Sequence, residues 1–159
     1  MKTFNLRKLR WKLFLLGAVK IPMIHFVRPR LVQVNADELT IKIPFRRRTK
    51  NHLNSMYFGA LAIGADLAAG YHVYCLAEQK EISISLAFKS TQAQFLKRPE
   101  SDVYFHSNSG AEISEHIQRA LDTNERINFH VNVRAKNTLE EEVALFDMEV
   151  SIRAKTKKP

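Results

Sequence analysis

Only one cysteine occurs in the 159 residues, Cys75. An internal disulfide is therefore excluded, and the chain suits a reducing compartment, so a cytoplasmic protein is expected. Cys75 follows an apolar run and reads as a buried, inert thiol. The six histidines are scattered, and no Cys/His cluster has metal-ligand spacing, so no metal is expected. A glycine-rich phosphate loop and the aromatic-basic strand motif of RNA readers are both missing, which argues against nucleic acid as a partner. No apolar run reads as long enough to span a bilayer. There is no internal repeat and no low-complexity linker, so one domain over residues 1–159 is expected. Hydrophobic residues make up 45% and charged residues 26%, the globular range, and the length suffices for a core.

One sign of charge is in excess. The formal net charge is +9 and the pI about 9.8. That balance calls for an anionic partner: nucleic acid, acidic lipid or a phosphorylated small molecule. Basic residues gather at both ends and at Arg46, Arg47 and Arg48; residues 155–158 read as a solvated basic tail.

The stretch over residues 51–70, NHLNSMYFGALAIGADLAAG, organises the rest. From residue 60 to 69 it is almost unbroken alanine, leucine, isoleucine and glycine, which favours helix over strand. A helix apolar on every side is a buried helix. Asp66 interrupts it. A carboxylate in such a place costs several kcal/mol unless paired or hydrogen-bonded, so it serves either a local hydrogen bond or interface pair, or catalysis.

Residues 4–21 form a basic amphipathic helix. Its apolar core is too short, and too closely followed by Lys20, for a signal peptide. Packing on the domain is the preferred use, and contact with an anionic membrane the other. Residues 21–29, with two prolines, read as a connection. Residues 31–35 and 39–45 make a hairpin. Ile82, Ile84, Leu86 and Phe88 begin a long strand that continues, with a bulge, to Leu96, and Pro99 ends it. Residues 102–106 are a short strand, and Ser109 to Glu112 carries a capping-box pattern before a surface helix. Two clean period-two strands follow, with Ile127, Phe129, Val131 and Val133 in the first and Phe146, Met148, Val150 and Ile152 in the second. A single apolar helix needs a sheet around it, which implies α+β architecture with a curved antiparallel sheet enclosing one helix.

That architecture is the hotdog fold. Asn51, Tyr57-Phe58-Gly59 and Asp66 resemble the motif of hotdog acyl-CoA thioesterases of the phenylacetyl-CoA thioesterase type. There an Asn precedes a His-Gly-Gly step, and a catalytic Asp or Glu lies about seven residues further on, inside the central helix. Here Tyr57 and Phe58 stand in place of the His and first Gly. Phe95-Leu96-Lys97-Arg98-Pro99 is similar to the Phe-Leu-Arg-Pro strand end of those enzymes. The segment Asn51-His52-Leu53-Asn54-Ser55-Met56-Tyr57-Phe58-Gly59-Ala60-Leu61 is most similar to an uncharacterised branch, a domain of unknown function. The likeness runs from about residue 30 to 155 and leaves out the N-terminal helix.

The resemblance implies thioester hydrolysis, with Asp66 as base or nucleophile and the Gly59 backbone at the helix N-terminus as oxyanion donor. Asn51 would orient water or the carbonyl, and Tyr57 joins the candidate site by position. Coenzyme A enters as part of the substrate, with no separate cofactor, and Lys97, Arg98, Arg47 and Arg48 are candidates for its phosphates. Gly59 and Asp66 share a helix face about 10 Å apart along the axis, so a working site calls for two chains across a twofold axis, in a homodimer or tetramer. Two other classes stay open: an acyl-CoA or lipid binder that does not hydrolyse, and a nucleic-acid binder suggested by charge. Plainer roles also stay open: Gly59 as a turn, Asn51 as a helix cap, Tyr57 as core.

Overall fold

A computed structural model describes residues 4–156. Lys157 and Lys158 of the basic tail lie outside the described residues.

The central helix forms as its composition requires, and it is longer than the apolar run alone. It begins as α3 (Phe58–Asp66), passes through a π-helical turn at Leu67–Tyr71 and continues as α4 (His72–Gln79). Together these span 22 residues, enough in length and hydropathy to cross a membrane, which corrects the expectation that no such run exists. Burial decides its role: 72% of its most apolar window lies inside the molecule, so it is a core helix. Ala65, Ala68, Ala69 and Val73 are fully enclosed. Gly64 lets the helix lie directly on the sheet, since a Cβ there would overlap the ring of fully buried Phe105.

Six antiparallel strands wrap this helix: β1 (Arg30–Val34), β2 (Leu39–Ile43), β3 (Ile82–Phe95), β4 (Val103–Ser107), β5 (Ile127–Lys136) and β6 (Glu142–Thr156). Their order in the sheet is β1-β2-β4-β5-β6-β3. The β1–β2 hairpin turns where expected, with Asn35 Oδ1 accepting from Asp37 and Glu38 N–H. The period-two signal of β5 becomes strict alternation of buried and exposed residues. The long strand β3 carries the expected irregularity between Phe88 and Ser90 and forms one edge of the sheet. This is the α+β hotdog arrangement.

Two local expectations need correction. Residues 21–29 are not merely a connection, because Pro22 occupies the first turn of α2 (Pro22–Val27), where its missing N–H costs nothing. Ser109 precedes α5 (Gly110–Thr123) but makes no side-chain cap. Its backbone (φ −97°, ψ 24°) is not the extended conformation that aims a serine hydroxyl at the helix start.

The N-terminal segment packs on the domain. After α1 (Leu6–Leu15) comes a second π-helical turn, Leu16–Lys20, and then α2. Leu9, Leu13, Ile24 and Val27 are buried in the common core. Each such apolar side chain contributes about 2 kcal/mol on burial. Polar ties fix the orientation. Tyr71 donates its hydroxyl to the Leu9 carbonyl at 2.6 Å, Arg10 Nε donates to the Leu31 carbonyl at 2.8 Å, and Lys12 is paired with Glu78.

Candidate active site

The sequence-level candidates separate into two groups at the two ends of α3. The first lies at its N-terminus. Tyr57 is the residue before the helix, and the N–H groups of Phe58 and Gly59 have no acceptor among the described residues, as expected of an uncapped first turn. The loop leading there is closed by Asn51, whose Oδ1 accepts from Leu53 N–H, Ser55 N–H and Ser55 Oγ at 2.9–3.2 Å. Asn51 therefore shapes this loop and does not cap the helix. Backbone bonds from Tyr57 N–H to the Thr49 carbonyl and from Met56 N–H to the Pro99 carbonyl, each 2.7 Å, draw three pieces together. These are the 3-10 turn Arg47–Thr49, the Asn51 loop and the strand end that carries Lys97 and Arg98.

Tyr57 is not core: it is exposed, and its ring lies over the helix start. A Cβ on Gly59 would come within 2.6 Å of that exposed ring, so the ring in this position lies close against the glycine, whose φ is not positive. Phe58 and Phe95 are exposed as well and meet edge to face at 5.7 Å. Of the four basic candidates, Lys97 is paired with Glu141 at 2.6 Å, and Arg48 lies over the Phe26 ring and donates to the Phe26 carbonyl at 3.3 Å. Arg47 and Arg98 are exposed.

The second group centres on Asp66, two turns further along. It is partly buried, at the last residue of α3 before the π-helical turn, and has no hydrogen-bond or ion-pair partner among the described residues. Burial pushes its carboxyl up to about 6. A π-bulge widens a helix locally and recurs at functional positions. Here it sets Asp66 in the wall of a cleft of about 600 Å³, between the central helix, the N-terminal segment and β3. Leu16, Val19, Leu67, Tyr71, Ile84 and Leu86 are among its walls, with Lys12 and Lys20. Gly70 leaves room beside the carboxylate: a Cβ there would sit 3.7 Å from Asp66 Oδ1 and 3.1 Å from the Phe88 ring.

The N-terminal segment is the contribution that residue patterns alone missed. Lys12, Val19, Lys20, Tyr71 and Tyr74 line the cleft, yet only the i, i+3 spacing of Tyr71 and Tyr74 just after the apolar run hinted at it. Cys75, by contrast, is buried with its thiol pushed up by desolvation, consistent with an inert role. No group of three or more His, Cys, Asp or Glu that could hold a metal occurs among the described residues.

The family described as Domain of unknown function (DUF4442) matches residues 10–152, nearly the whole chain. The chain belongs to that family. Known structures repeat its architecture. A Pseudomonas aeruginosa protein, described as of unknown function and a probable thioesterase, superposes with a TM-score of 0.75 at 18% identity, covering 94% of this chain and 95% of its own. A Chlorobaculum tepidum protein of unknown function reaches 0.82 at 12% identity, with 94% and 97% covered. A Haemophilus influenzae thioesterase reaches 0.68 at 13%, with 95% and 92% covered. Nothing among curated proteins matches. At these identities the likeness is one of fold, and the fold this DUF4442 chain shares with them is the hotdog fold.

The isolated carboxylate of this DUF4442 protein has a consequence for stability. The folded state holds the Asp66 proton up to about pH 6, whereas the unfolded chain releases it near 3.8. The stabilisation from protonated Asp66 is present at low pH and lost as pH rises through 6. Asp66→Asn should therefore be more stable than the parent at neutral pH by about 1–3 kcal/mol, with the gap closing towards pH 4. Urea unfolding of both proteins across that range measures it; the titration of buried His72 is common to both and cancels. A pH-independent difference would mean that folding does not raise the Asp66 pKa.

Proposed function

We propose that this protein hydrolyses acyl-CoA thioesters, with Asp66 as general base or nucleophile. The observation that carries this reading is the unpartnered carboxylate in the wall of an apolar cleft, its pKa pushed up to about 6. A base poised near neutral pH combines a useful ionised fraction with real proton affinity. As base, Asp66 takes a proton from water and the oxygen attacks the thioester carbonyl. The tetrahedral oxyanion is held by backbone N–H at the start of α3. Collapse expels the coenzyme A thiolate, and the proton on Asp66 returns to it.

One chain does not complete this site. Gly59 and Asp66 lie about 10 Å apart along one helix, too far for one carbonyl to meet both. In our reading a second copy supplies the helix start, in a homodimer or a tetramer built from it. The exposed Tyr57, Phe58, Phe95 and Leu96 beside the edge of β3 favour such a partner. Arg98 and Arg47, with Arg48 and the Glu141-paired Lys97 nearby, would then meet coenzyme A phosphates. A second reading, acyl-CoA binding without hydrolysis, is favoured by the Tyr57 ring over Gly59.

A free-thiol assay over acyl-CoAs of varied chain length separates the two readings. Hydrolysis should be detected for at least one of them and should fall by about 10²–10⁴ in Asp66→Asn. A folded Asp66→Asn protein working at the parent rate removes Asp66 from the chemistry, and binding with no turnover of any acyl-CoA establishes the second reading.

The shared site has its own check. Asn51→Ala and Asp66→Ala, each inactive alone, are mixed under conditions of subunit exchange. Mixed dimers then hold one intact site, and about a quarter of the parent activity should return. No recovery, with exchange confirmed by mass, places the whole site in one chain.

A further inference from the structure

The N-terminal segment buries one side and leaves another bare. The buried side is Leu9, Leu13, Ile24 and Val27. The outer side presents Trp11, Phe14, Val19, Ile21, Met23 and Phe26, with Trp11 60%, Met23 64% and Val19 69% exposed. Trp11 and Phe14 stack at 5.4 Å, one continuous aromatic surface on α1. Scattered exposed apolar residues need no explanation, but a cluster of this size on two adjoining helices does.

Charge says what covers it. The first 36 residues contain eight Lys or Arg and no Asp or Glu, while the rest of the chain has seventeen basic and sixteen acidic residues. Nearly all of the net +9 therefore belongs, in sequence, to the segment that carries the exposed aromatics. Arg7 and Lys8 lie one turn before Trp11 on the same helix face, and Arg28 and Arg30 follow α2. The acidic neighbour, Glu78, meets Lys8 and Lys12, and no ion pair joins Arg7, Arg10, Lys20, Arg28 or Arg30 to an acidic side chain among the described residues. Trp, Phe and aliphatic groups ringed by Lys and Arg, on short helices lying flat on a domain, match the interface of an anionic bilayer. There rings and aliphatic chains enter the acyl boundary and cations meet lipid phosphate.

We propose that the helical pair α1–α2 docks this protein onto anionic membrane surfaces. Leu15, Val19 and Ile21 belong both to this face and to the rim of the Asp66 cleft, so docking brings the cleft mouth to the lipid. The docking itself stands whether or not Asp66 hydrolyses anything.

Trp11 is the only tryptophan in the chain and reports directly. The full-length protein is mixed with vesicles of phosphatidylcholine alone, or of phosphatidylcholine with phosphatidylglycerol. Trp11 emission should shift to the blue and the protein should float with the anionic vesicles only, with both effects reversed by high salt. Arg7→Gln with Lys8→Gln should lower partitioning about 30-fold, and Met23→Ser should lower it further, with unchanged circular dichroism. No flotation of the parent with anionic vesicles overturns the proposal without recourse to any variant. Flotation undiminished in the variants places the contact elsewhere. A dimer that shields Trp11 from iodide and is dissociated by Met23→Ser would show that a second copy, not lipid, covers the face.

Discussion

A helix with no polar side must be covered on all of them. That constraint shapes this molecule, because residues 60–69, the heart of the helix over 58–79, are apolar on nearly every side. The sheet encloses one flank, with Gly64 allowing contact with Phe105, and the N-terminal segment closes part of another through Leu9 and Leu13. Where helix, N-terminal segment and β3 fail to meet fully, the cleft of about 600 Å³ remains. The cleft is thus a gap in the cover of the core helix, which is why its walls are apolar.

Asp66 is costly against this background. A buried carboxylate without a partner shifts its pKa instead of holding its charge, and the π-helical turn that follows it departs from regular helix. Both features sit at one position, beside a glycine and an open space. Departures from good packing that coincide in this way are what make Asp66 the candidate for the proposed chemistry.

The sequence was most legible where one period governs. The period-two apolar pattern of β5 and β6 and the nearly unbroken apolar run of α3 are strong local signals, and the hotdog arrangement follows from them. Legibility failed where several elements must meet. The helix continues through His72–Gln79, where His72, though polar, is fully buried and bonded to Ser107, a pairing invisible along the chain. Pro22 looked like a break but starts α2. The site was half legible: the Asp66 environment followed from its neighbours in sequence, while the role of α1 as a wall of its cleft depended on tertiary ties such as Tyr71 to Leu9. Asn51 and Gly59 fell at the end of the helix opposite Asp66, as spacing alone required.

The account stands on the state of one carboxyl group, so the most direct measurement is its titration. Carboxyl carbon NMR of the folded protein, with Asp66 assigned by its loss in Asp66→Asn, should give a midpoint near pH 6. The acid limb of kcat/KM for the best acyl-CoA should fall at the same pH. A midpoint in the ordinary aspartate range, or a limb unrelated to it, would contradict the claim that an unpartnered Asp66 is the working group.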